Sequence, residues 1–168
     1  MARAAARGQH QHDHQRDHQR DPHEPGRSRR TAGDVLRTAG RLALGGALVF
    51  AGTSHLTFAR EEFTAQVPES IPLPEDPVVL ASGVAEIALG AAIAVAPRRF
   101  RPAVGWLGAA FFVAVFPGNI SQYLTGTDAF GLDSDAKRLA RLPFQGVLVA
   151  WSLWSTGAWR AWRGRGRA

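Results

Sequence analysis

The chain has no cysteine. That excludes disulfides, thiol redox chemistry and cysteine-ligated metal or iron–sulfur sites. Lysine is almost absent as well: Lys137 stands alone among 20 basic residues. Apolar residues are nearly missing from the first 34 positions, which hold "HQHDHQRDHQRDPHEPGRSRR" and a tandem His-Gln-Arg-Asp unit. A segment of this composition cannot bury enough apolar surface to offset its ordering entropy, so residues 1–34 are expected to be a disordered tail. Its histidines (His10, His12, His14, His18 and His23) could hold a divalent metal loosely, but the plain reading is a solvated tail, and no metal site is assigned. No apolar run follows the first basic residues, so no signal peptide is expected there. "SRRTAGD" lacks the apolar residue that an export signal carries after its arginine pair.

What is present after the tail is a set of four apolar blocks, which the near-neutral mean hydropathy conceals. They lie at about residues 35–58, 77–96, 102–124 and 143–162, and a short basic end, 163–168, follows. A spanning helix needs about 20 residues to cross a core of about 30 Å. The third block reaches that length only by continuing through Pro117, where a kink is expected. The fold class expected is therefore all-α, an integral membrane bundle of four helices in the lipid bilayer over residues 35–162.

Net charge is +6. The arginines do not form a stripe on a soluble domain, so the charge reads as membrane orientation and not as a nucleic-acid footprint. Arg27, Arg29, Arg30, Arg37 and Arg41 precede the first block, Arg98, Arg99 and Arg101 separate the second from the third, and Arg160, Arg163, Arg165 and Arg167 end the chain. The loop between the first and second blocks sets Arg60 against Glu61, Glu62, Glu69, Glu75 and Asp76, and the loop between the third and fourth offsets Lys137, Arg138 and Arg141 with Asp128, Asp133 and Asp135. By the positive-inside rule both termini are cytoplasmic, in the inner (plasma) membrane. Trp159 and Trp162 suit an interfacial belt.

Polar residues inside the blocks carry the functional signal. His55, Glu86, Asn119, Arg141 and Gln145 fall in the outer halves of four different blocks, with Ser82 and Gln122 in support. The inner halves offer only Ser155 and Thr156. Ala43, Ala47, Ala51 and His55 are spaced by four, as are Ser82, Glu86, Gly90 and Ala94. Gln145, Val149, Ser152 and Thr156 share a face. Small stripes mark close helix approach, so these polar groups turn inward. An ionised carboxylate facing lipid costs about 2.5–3.5 kcal/mol, so Glu86 has to be paired, hydrated or protonated. The expected arrangement is a polar pocket in the outer half with Glu86 at its floor and Arg141 at its mouth. Each residue also has a plain alternative: interhelical bonds that only lock the bundle, or, for Arg141, a surface pairing with Asp133 or Asp135. The loop "FTAQVPESIPLPEDP" is too proline-rich for a long helix; it is an ordinary connector, or its Phe63, Val67, Ile71 and Leu73 dip into the headgroups or cover the pocket as a lid. "LDSDAKRLARL" reads as a short interfacial helix ending at Pro143.

Five motifs in order, "GTSHLTF", "VPESIPLP", "SGVAEIALG", "AVFPGNISQY" and "RLPFQ", resemble the DoxX-like family of small bacterial four-helix membrane proteins. The resemblance runs over about residues 42–156. It places family motif positions on Gly52, His55, Glu86, Pro117, Asn119, Arg141, Pro143 and Gln145. It implies association with membrane redox complexes, because the family is named for a small subunit of a thiosulfate:quinone oxidoreductase. No haem, flavin or iron–sulfur signature accompanies it, and a thiol relay is excluded by the missing cysteine. The expectation is a binding or accessory subunit, not an enzyme on its own, that holds a small amphiphile such as a quinone and sits beside a redox partner. The alternatives are an oxidoreductase subunit relaying protons through Glu86 and His55, and small-solute transport.

Overall fold

The computed structural model describes residues 31–68 and 71–166, and these are helices joined by turns, with no strand among them. The expectation of a disordered tail falls on residues 1–30, outside the described part. Its last positions are ordered. The Thr31 hydroxyl accepts from the Asp34 backbone N–H at 3.3 Å, and the Asp34 carboxylate accepts from the Thr31 N–H and hydroxyl. This capping box starts α1, Ala32–Leu56, three residues before the expected boundary.

A five-residue helix follows, α2 at Arg60–Thr64, and then α3 at Glu75–Val95. Pro77 sits in the first turn of α3, where a missing N–H costs no helical bond. α4 runs Arg101–Ala114 and α5 runs Phe116–Thr125, with the break at Val115 beside the expected proline. Three stretches are long and apolar enough to cross a membrane: Ala32–Leu56, Glu75–Val95 and Arg101–Thr125.

The fourth block departs from expectation. α6 spans Asp135–Thr156 and runs straight through Pro143, so no separate helix ends at that proline. Its first two turns carry Asp135, Lys137, Arg138 and Arg141, and α6 is not among the helices long and apolar enough to cross a membrane. Gly157, at φ +76°, then stops α6, and the tryptophan-rich end becomes α7, Ala158–Arg165. The expected single helix over 143–162 is thus two.

Two tight helix pairs organise the packing. α1 lies against α3 where a Cβ on Gly52 would come within 2.5 Å of the Gly83 carbonyl oxygen, and one on Gly45 within 2.6 Å of the Gly90 oxygen. α4 lies against α6, where Gly105 and Gly108 meet Thr156 and Ser152, and the Ser152 hydroxyl donates to the Gly105 carbonyl at 2.9 Å. The expected Ala43, Ala47, Ala51 stripe is not the seam of α1: Ala43 and Ala47 are exposed. The seam is Gly45, Leu48, Gly52 and His55, which alternates steps of three and four. A constant step of four drifts off the contact line of a helix with 3.6 residues per turn.

The two pairs meet at one end. There the Trp151 indole N–H donates to the Gly40 carbonyl at 3.0 Å, and Ile93 reaches the α4 backbone at Gly108. Arg41 is buried at this end and donates to the carbonyls of Ile93 and Ala94, satisfying the last turn of α3. Leu44, Leu48, Leu89, Ile93 and Phe112 form the apolar core beside it. Toward the other end the pairs separate.

Candidate functional site

The separation leaves a cavity of about 770 Å³, within the range that holds drug-sized ligands. All five residues singled out from the sequence line it: His55 from α1, Glu86 from α3, Asn119 from α5, and Arg141 and Gln145 from α6. Ser82 lines it too, one turn before Glu86. Gln122 does not; it stands behind the lining and holds Arg141 in place. Most of the remaining lining is apolar, including Phe111, Phe112, Phe144 and Leu148.

The five candidates divide into two kinds. Asn119 and Gln145 have their partners within the protein. The Asn119 amide donates to Gln145 Oε1 at 3.1 Å, and Gln145 Nε2 donates to the Phe112 carbonyl at 2.5 Å. Together they tie α5, α6 and α4, so the locking role is the one their geometry displays.

His55 and Glu86 are different. Both are buried, at 5% and 9% exposure, and His55 Nε2 lies 3.5 Å from Glu86 Oε2. That is ion-pair range but long for a hydrogen bond. Neither imidazole nitrogen, nor Glu86 Oε2, has a hydrogen-bond partner. Their position follows from the α1–α3 seam: on these antiparallel helices His55 and Glu86 flank the Gly52–Gly83 contact on opposite sides, and the close backbone approach lets their side chains reach each other.

Arg141 forms the third element. Its guanidinium donates to Gln122 Oε1 at 2.7 Å and to Gln66 Oε1 at 3.4 Å, and lies 5.6 Å from the centre of the Phe130 ring. Its expected surface pairing does not occur. Asp133 is bound by Lys137 at 2.8 Å, and that hydrogen bond holds the Asp133 carboxyl below the usual carboxylate range. Asp135 and Asp128 are taken by the buried Arg138. Among the described residues no carboxylate pairs with Arg141, so a cation with neutral partners faces the cavity.

A roof closes the open end; Phe63, Val67 and Ile71 of the expected cover belong to it, Leu73 does not line the cavity, and Phe130 and Gln66 were not singled out from the sequence. The Phe63 ring lies over the His55 imidazole, with centroids 3.3 Å apart, and Phe130 meets Phe63 edge-on at 4.5 Å. Gln66, Val67, Pro68 and Ile71 complete the cover, so the proline-rich loop lines the cavity and is not a mere connector. Gln66 Nε2 donates to Gln122 Oε1 at 3.1 Å, and the Glu62 carboxylate accepts from the Phe130 backbone N–H. Phe130 has φ +54°, which is unusual for a bulky residue. The available signal was an aromatic side chain within a Gly- and Asp-rich turn. Among the described residues no three His, Cys, Asp or Glu side chains gather as metal ligands.

Residues 44–156 match the family described as a domain of unknown function (DUF8561), which covers well over half of the chain, so the chain belongs to that family. No curated protein and no solved structure matches it.

Proposed function

We propose that this DUF8561 chain is a multi-pass membrane protein of the DoxX-like type that holds a small amphiphile, such as a quinone, in the cavity roofed by Phe63 and Phe130. In this reading α1, α3, α4 with α5, and α6 all span the bilayer of the inner membrane. Charge distribution supports both termini being cytoplasmic. Arg37, Arg41, Arg98, Arg99, Arg101 and Arg160 lie at the end where the helix pairs meet, while Glu61, Glu62, Glu75 and Asp76 lie at the roofed end. The fourth span then begins near Arg141, whose head is held at the roof instead of in the hydrocarbon.

The observation that carries the reading is the unsatisfied pair, His55 and Glu86, in the wall of a mostly apolar cavity. Leaving buried polar atoms unbonded costs about 1–3 kcal/mol each, and a ligand head that bonds them recovers this. The protein acts as a binding or accessory subunit, with a membrane redox partner as its user. The core of Leu44, Leu48, Leu89, Ile93 and Phe112 fills the other end, which favours holding a molecule over passing one through.

The test is retention of a short-tailed quinone, decylubiquinone, by the chain in lipid nanodiscs, read by native mass spectrometry. The wild type is expected to carry one molecule, and Glu86→Gln and His55→Ala to lose it. Unchanged retention in both variants would remove the basis of the reading.

A further inference from the structure

His55 and Glu86 also constrain what the bound head group can be. Asn119 and Gln145 are bonded to each other and to the Phe112 carbonyl, and Gln66 and Gln122 to Arg141. Among the described cavity residues, His55 Nδ1, His55 Nε2 and Glu86 Oε2 are buried without a hydrogen-bond partner, and Nε2 and Oε2 stand side by side.

One of the two atoms is an imidazole nitrogen and the other a carboxyl oxygen. With one titrating proton shared between the groups, the pair presents one donor and one acceptor, whichever group holds it. If Glu86 is ionised, His55 Nε2–H donates and Glu86 accepts. If Glu86 is protonated and the neutral imidazole carries its hydrogen on Nδ1, Glu86 donates and Nε2 accepts. A carbonyl oxygen can only accept, so it leaves the acceptor unsatisfied. An ammonium can only donate. An anion can only accept and would sit against an ionised Glu86. A hydroxyl donates and accepts at one atom. An oxygen about 2.8 Å from each partner spans an edge of 3.5 Å, and both atoms are covered in this structure, so the Phe63 ring has to shift for it to enter. Phe63 covers the imidazole, Phe111 and Phe144 line the space beyond, and the other polar groups of the lining include Ser82, one turn before Glu86, and Arg141.

We propose that the group bound between His55 and Glu86 is a hydroxyl, and that the ligand is an apolar alcohol or phenol, the reduced form of a quinone included. The inference rests on the amphiphile reading above and narrows it from any polar head to one that both donates and accepts. The ketone form of a quinone satisfies one of the two atoms; the quinol satisfies both.

Paired probes that differ only in the hydroxyl hydrogen test this. The full chain in nanodiscs is titrated with 4-dodecylphenol and with its methyl ether, and with 1-dodecanol and its methyl ether, with bound mass read by native mass spectrometry. The hydroxyl member of at least one pair is expected to bind tenfold or more tightly than its ether. Preference within the first pair identifies a phenol, and within the second an aliphatic alcohol. Glu86→Leu and His55→Leu are expected to erase that preference while melting no lower than the wild type. Equal binding of hydroxyl and ether overturns the hydroxyl assignment and leaves the amphiphile reading standing, with water serving the pair. Failure of all four probes to bind overturns both.

Discussion

His55 Nε2 and Glu86 Oε2 face each other at 3.5 Å, from neighbouring helices, with no hydrogen bond to any other side chain or to the backbone. Stability alone does not account for such a pair, because replacing two unsatisfied buried groups with apolar ones is often neutral or stabilising. The double variant His55→Leu/Glu86→Leu is therefore expected to melt at or above the wild-type temperature in the absence of ligand, and to lose amphiphile retention. A drop in melting temperature would show that the pair holds the helices together.

The α1–α3 contact depends on glycine at some positions and not at others. A Cβ at Gly52 would come within 2.5 Å of the Gly83 oxygen, whereas Gly46 has nothing within 4 Å. Gly52→Ala is expected to destabilise by about 1–3 kcal/mol, as overpacking does. Gly46→Ala is expected to be neutral or to stabilise by up to about 1 kcal/mol through helix propensity. Thermal unfolding of the two variants in the same detergent checks the contrast.

Gln122 lies outside the cavity yet positions its cation. It accepts from Arg141 and Gln66 and donates toward the carbonyls of Thr127 and Ala129. Gln122→Leu frees the Arg141 head and is expected to weaken amphiphile binding about tenfold, equivalent to about 1.4 kcal/mol. Titration of decylubiquinone into nanodiscs measures it.

The cysteine-free chain makes its topology easy to test. With both termini cytoplasmic, a single cysteine introduced by Asp133→Cys is expected to react with a membrane-impermeant maleimide in intact cells. One introduced by Arg99→Cys is expected to react only after permeabilisation. The reverse pattern would invert the proposed orientation, and labelling of both in intact cells would contradict the spans.

Gly157 separates α6 from α7 at φ +76°, a conformation that costs residues with a Cβ about 1–2 kcal/mol. Gly157→Ala is expected to lower the melting temperature, or to join α7 onto α6 with a gain in helical signal by circular dichroism.

The depth argument from sequence assembled the right neighbourhood, because helix rise and block boundaries set depth without knowledge of packing. His55, Glu86, Asn119, Arg141 and Gln145 do line one cavity. Which of them would be satisfied was not readable. The Asn119–Gln145–Phe112 chain joins side chains of α5 and α6 to a backbone carbonyl of α4, a pairing that residue spacing does not specify. Alanine spacing misidentified the α1 seam, since small residues serve equally for close packing and for lining a space: Ala47 and Ala51 line the cavity, and Gly45 and Gly52 make the contact. Phe63, Val67 and Ile71 were legible as a possible cover, whereas Gln66 and Phe130 were missed because a roof assembled from two loops leaves no periodic trace. The fourth block was misjudged as one helix because hydropathy does not register a left-handed glycine at Gly157.

The most direct measurement is native mass spectrometry of the chain released gently from its own membrane, compared with a variant whose cavity is filled by Ser82→Trp. The wild type is expected to carry one small amphiphile, and the filled variant to fly bare while melting normally. A bare wild type, or an adduct that persists in the filled variant, would contradict ligand binding in this cavity.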